Sequence, residues 1–160
     1  KILFLENRDE AVKAEAMLSV ANELVSLLRA DLPRQEEFIS AAAVDWSFGD
    51  NRVSVNGHTQ FSESSMVILK HCFHLALLAA STKHEFFRVP RFLLLDGIED
   101  GGQEIERSHH LQGLVVELSK SLPANHQIIF ATSQIAPSLQ DSDLVVGKAS
   151  TVDDKTLAIG

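Results

Sequence analysis

The chain has 160 residues, 45% hydrophobic and 22% charged, a composition that supports one globular domain with a sizeable core and leaves no low-complexity segment. The formal net charge of -8 gives no whole-domain electrostatic footprint for nucleic acid or anionic lipid, so any DNA contact requires a local patch or a partner. A lone cysteine, Cys72, excludes an internal disulfide and a thiolate zinc cluster and fits a reducing cytoplasm.

The chain opens on Lys1 and not on methionine, which suggests a piece of a longer polypeptide. From Arg8 to about Asp31, apolar residues fall at Val12, Ala16, Met17, Val20, Leu24, Leu27 and Leu28, and this spacing predicts a long amphipathic helix. Strict heptads are not sustained, so the stripe reads as core packing before it reads as a coiled-coil stub. Pro33 ends the helix, and Gln35 to Ala43 is a second, short helical piece. Val44 to Phe48 and Arg52 to Val55 carry β-formers around Gly49, Asp50 and Asn51, which is the chemistry of a hairpin turn. Ser62, Ser64 and Ser65 then precede a helix from about Met66 to Ser81, where serine is a natural N-cap. The apolar run Met66 to Ala80 is interrupted by Lys70, His71 and His74 and reads as too short and too polar for a membrane span.

Phe92 to Leu95 form a continuous apolar run, expected of a strand buried on both faces, and the run ends abruptly in Asp96 and the acidic, glycine-broken stretch Gly97 to Gly102. Open α/β sheets bind ligands at the carboxyl ends of their strands, where an aspartate is well placed to hold a nucleotide-bound magnesium. Gln103 to Leu122 carries Leu111, Leu114, Val115, Leu118 and Leu122 on one helical face and reads as a crossover helix. Pro123 and Asn125 break it before Gln127 to Thr132, a second buried strand expected to run parallel to the first. Leu144 to Val146 and Thr156 to Ile159 are short candidate edge strands. His71 and His74 flank Cys72, but no third ligand is placed by sequence, so both read as partly buried structural histidines before zinc ligands. His109 and His110 read as surface residues, and Arg107 as a structural partner of Glu99 or Asp100. No G-x-S-x-G elbow supports a serine hydrolase.

Taken in order, these pieces resemble the C-terminal half of the ATPase head in the SMC, RecN and RecF-like branch of the ABC ATPases. Phe61-Ser62-Glu63-Ser64-Ser65 resembles the signature loop, Phe92 to Asp96 the Walker B strand, Gly97 to Gly102 the D-loop region, and Ile128 to Ser133 the switch strand. The resemblance covers about Val44 to Gly147. It implies an α/β fold, the parallel-sheet C-terminal lobe of a P-loop ATPase head, carrying an N-terminal amphipathic helix and a β-hairpin. Residues 1–43 would be the helical arm or coiled-coil base, and residues 44–160 the lobe itself.

The resemblance also implies roles. Asp96 would hold Mg2+, Glu99 or Asp100 would position the attacking water, with a D-loop role equally open to Asp100, and Ser133 would stand at the switch. Ser62, Ser64, Ser65 and Gln134 would approach ATP, with Ser62 and the amides behind it facing the γ-phosphate bound by an opposite head. The partners implied are an N-terminal ATPase half or second head, in a homodimer of heads, and DNA through the complete cytoplasmic protein, with no membrane. The chain departs from the family pattern where Glu63 and Ser64 replace the two signature glycines and where Gly97 replaces the glutamate that usually follows the Walker B aspartate. No G-x-x-x-x-G-K-[ST] occurs in the 160 residues, so ATP hydrolysis requires a P-loop from elsewhere. The alternative is a degenerate, non-hydrolysing lobe kept for dimerisation or partner docking.

Overall fold

The computed structural model describes residues 2–147, with side chains from residue 8 onward. Its elements run α1 (Ile2–Arg29), α2 (Glu36–Ile39), β1 (Val44–Ser47), β2 (Arg52–Val55), α3 (Glu63–Lys83), β3 (Phe92–Leu95), α4 (Ile105–Ser121) and β4 (Gln127–Phe130). The core forms where the apolar stripe of α1, at Val20, Leu24, Leu27 and Leu28, meets α3, with Ile68, Leu69, Leu75 and Ala76 buried on the facing helix. Phe38 from the single turn of α2 closes one end of this core and packs on Phe61 at 5.2 Å between ring centroids.

The hairpin pairs β1 and β2 antiparallel, from Val44 opposite Val55 to Ser47 opposite Arg52. Its turn is closed by the Asn51 amide donating to the Phe48 carbonyl at 3.2 Å, with Asn51 in the left-handed region at φ 46°. Asn56 fastens the hairpin to the residues before it: its side-chain oxygen accepts from the Ala42 and Ala43 amides, and its Nδ2 donates to the Ser40 carbonyl.

β3 and β4 run parallel in register, Phe92 beside Gln127 through Leu95 beside Phe130, with α4 as the connection between them. The strand expected to be buried on both faces is covered on one. Leu95 is buried, whereas Phe92 is 50% and Leu94 60% exposed, and Ile129 on the neighbouring strand is 44% exposed. Alternate side chains point to opposite faces, and α3 and α4 cover only the face that carries Leu93, Leu95, Ile128 and Phe130.

Two expectations need correction. Leu144 to Val146 is not a strand: the Val145 amide turns back to the Ser142 carbonyl, and Val146 is 95% exposed with no neighbouring strand to pair with among the described residues. Thr156 to Ile159 lies outside the described residues. The helix expected from Met66 extends to Lys83, which gives α3 the length and mean hydropathy of a membrane span by composition. Yet 72% of that apolar window is buried by the rest of the protein, as befits a core helix.

Candidate functional site

The carboxyl ends of β3 and β4 bring together most of the residues singled out in the sequence. Asp96 directly follows β3 and is exposed, its Oδ1 accepting from the Gly97 amide at 2.9 Å. The backbone then turns sharply, with the Asp100 amide donating to the Gly97 carbonyl at 3.2 Å and Gly97, Gly101 and Gly102 all at positive φ. A Cβ at position 97 would collide with Oδ2 of Asp100, on a backbone at φ +72° that side chains rarely adopt. The carboxylate of Asp100 therefore fills the space a side chain at position 97 would need. The glutamate expected from the resemblance has no room there unless Asp100 moves.

Glu99 leaves the same turn in the other direction and reaches β4. Its Oε1 accepts from the Thr132 hydroxyl and, at 3.1 Å, from the Ser133 amide. Two of the sequence-selected residues, Glu99 and Ser133, are thus in direct contact across the ends of the two strands. Gln134 follows, its amide donating to Thr132 Oγ1 at 3.1 Å and its carbonyl accepting from Gln112 Nε2 at 2.9 Å.

The N-terminus of α3 joins this edge from the side. Ser62 is the N-cap, its Oγ accepting from the Ser65 amide at 3.3 Å, and it stands 3.4 Å from the Ser64 hydroxyl. The glycine loop packs directly on this turn: a Cβ on Gly101 would be 3.0 Å from the backbone carbonyl group of Glu63 and 3.1 Å from Val67. The loop after Asp96 and the cap of α3 form one contiguous surface for that reason. Ser65 is the exception among the serines. It is fully buried, and its hydroxyl accepts from Arg107 Nη1 at 3.2 Å, so it faces the core.

Arg107 does not pair with Glu99 or Asp100 as expected. Its guanidinium donates from Nε at 3.0 Å and Nη2 at 2.5 Å to the Asp31 carboxylate, with both side chains almost fully buried. The segment that follows α1 is tied to the start of α4 at three further points. His110 Nε2 donates to the Ala30 carbonyl at 2.6 Å, and Arg34 pairs with Glu104 and Glu106 at 2.8 Å each. His110, read as a surface residue, caps a carbonyl at the end of α1 instead.

Gln112 is a residue that sequence reasoning missed. Fully buried on α4, it donates to Thr132 Oγ1 and the Gln134 carbonyl and accepts from the Ala136 amide at 2.7 Å, which fixes the segment leaving β4. A glutamine among apolar helix positions was its only signal. Burial, together with Asp31, pushes the Cys72 thiol up, so Cys72 is an inert core residue. No group of three metal-ligating side chains occurs among the described residues, so Asp96 has no preformed protein cage for a metal. It fits only the lighter role of holding magnesium through one carboxylate, alongside ligands from nucleotide and water.

No known protein family, curated protein or solved structure matches this sequence.

Proposed function

We propose that this protein is the C-terminal half of an SMC-like ATPase head, which completes an ATP-dependent contact between two heads of a cytoplasmic protein acting on DNA. The observation that carries the reading is the convergence at one sheet edge of Asp96 at the end of β3, Glu99 bonded to the end of β4, and the capped N-terminus of α3 packed on the loop between them. This edge is where an α/β ATPase holds nucleotide, magnesium and attacking water. The uncovered face of β3 and β4 supports the same reading. Parallel sheets occur with both faces covered, and Phe92, Leu94 and Ile129 offer an apolar surface to a P-loop-bearing lobe. In this assignment Asp96 holds magnesium, Glu99 positions water, Ser133 stands at the switch, and Ser62 and Ser64 face the γ-phosphate of the opposite head.

The assay is phosphate release from ATP and magnesium by the complete protein to which this lobe belongs. Asp96→Asn should retain the fold and lower magnesium-dependent turnover about 10–100-fold, the scale for a residue that orients a metal and its water. Unchanged turnover removes Asp96 from the site. ATP-dependent dimerisation without any turnover by the wild-type protein favours the scaffold reading, for which the lack of a carboxylate at Gly97 is the specific support.

Ser62 tests the contact between heads. As a helix cap alone, Ser62→Ala should cost about 1 kcal/mol of stability and nothing else. As the residue facing a phosphate held by the other head, it should also be required for ATP-dependent dimerisation while nucleotide binding to a single head persists. Sedimentation with and without ATP, beside thermal melting, separates the two. A variant that is slightly less stable yet dimerises normally would remove the signature role.

A further inference from the structure

His71 is a buried polar side chain with no partner. It lies one turn beyond Val67 on the face of α3 that packs on Gly101, is 2% exposed, and neither ring nitrogen is hydrogen-bonded. A buried group left in this condition is costly, and native folds rarely keep one without a use. Burial lowers the pKa of the imidazole, Lys70 and His74 on the same helix push it the same way, and the Gly97 backbone and Asp100 oppose them. The ring is therefore a neutral donor with the Gly97 backbone beside it, outside hydrogen-bond geometry, and an acid close by. The Asp100 residue is exposed, its carboxylate stands over Gly97, and glycines at positive φ lie on both sides of it.

We propose that His71 is a positioning residue for the loop that carries Glu99. The loop exchanges between the arrangement described, anchored by Glu99 on Thr132 and Ser133, and a second one anchored by Asp100. In the second arrangement the imidazole N–H of His71 donates to the Asp100 carboxylate, and Glu99 leaves the end of β4. The orphaned donor is satisfied in that state, half-buried Thr132 and exposed Ser133 exchange Glu99 for water, and the three left-handed glycines supply the pivots. The consequence for turnover rests on the ATPase reading, but the exchange itself does not.

The test uses the 160-residue protein without nucleotide or magnesium, so its failure is separate from failure of the ATPase assignment. Loop rearrangements of this kind fall on the microsecond-to-millisecond scale, which 15N relaxation dispersion reads. Exchange is expected at the amides of Gly97 to Gly102, with the His71 ring nitrogens reporting a hydrogen-bonded N–H in the minor state. His71→Leu and Asp100→Ala should each abolish the exchange, whereas Asp100→Asn, which keeps an acceptor, should retain it. Asp100 is exposed, so its variants decide the matter even where His71→Leu fails to fold. Flat dispersion in the wild-type protein overturns the proposal, as does exchange that persists unchanged in Asp100→Ala.

Discussion

Replacing Arg107 with methionine is expected to lower the unfolding free energy by about 3–5 kcal/mol, the scale seen when one member of a buried ion pair is removed and the other charge is left unpaired. The side chains of Arg107 and Asp31 are 2% and 1% exposed, so water cannot compensate either one. Each charge also stands at the unfavourable end of its helix. Arg107 lies in the first turns of α4, where the helix dipole repels a cation, and Asp31 follows the last turn of α1, where it repels an anion. Their pairing relieves both. The same substitution frees the Ser65 hydroxyl beneath the cap of α3, so three elements lose a common anchor. Asp31→Leu combined with Arg107→Met should recover much of the loss, since apolar side chains of similar volume commonly replace a buried pair without penalty. Urea unfolding of both single variants and the double reads the coupling directly, provided the m-value is constant. A single-variant cost within about 1 kcal/mol, the range of solvated pairs, would contradict the burial argument.

The ion pair also marks where the sequence stops being legible. The helices, the hairpin and the parallel strand pair could be read because each is written in local periodicity: the stripe from Val20 to Leu28, the turn residues Gly49 to Asn51, and the apolar runs at Phe92 and Ile128. The partner of Arg107 is not local. Asp31, Glu99 and Asp100 are all acids, and only the fold, which brings the segment after α1 to the start of α4, selects the first, 76 residues away. Leu144 to Val146 has strand-forming side chains, but strand propensity acts only where a neighbour offers a ladder, and none does among the described residues. The two-sided burial expected of Phe92 to Leu95 rests on composition alone. Burial also depends on what covers the sheet, and these residues cover one face. At the site, Asp96 and the serine cap were readable as strand end and helix start. The division between Glu99, bonded beyond the end of β4, and Asp100, over Gly97, was not, because it depends on the turn that Gly97 makes at positive φ.

That division gives the second large effect. On the proposed ATPase reading, Glu99→Gln in the complete protein is expected to leave ATP binding intact and to slow hydrolysis by about a hundredfold or more, the scale of a positioned general base. A carboxylate that orients water must be held still, and Glu99 is held by two hydrogen bonds from Thr132 and Ser133 on one oxygen, which leaves Oε2 free of them. Glutamine retains an acceptor for those bonds but cannot take a proton, so the variant separates chemistry from anchoring. Asp100 makes the comparison sharp, because the two acids are adjacent in sequence but differ in support. Asp100→Asn should change turnover far less, since that carboxylate belongs to an exposed residue on the glycine turn and is not fixed to β4. Single-turnover kinetics with saturating ATP reads the hydrolysis step apart from binding and release. An equal loss in Asp100→Asn alone would move the water-positioning role to Asp100. Full activity in both variants would mean that neither acid serves, and the lobe would then act by docking, with hydrolysis absent from this head.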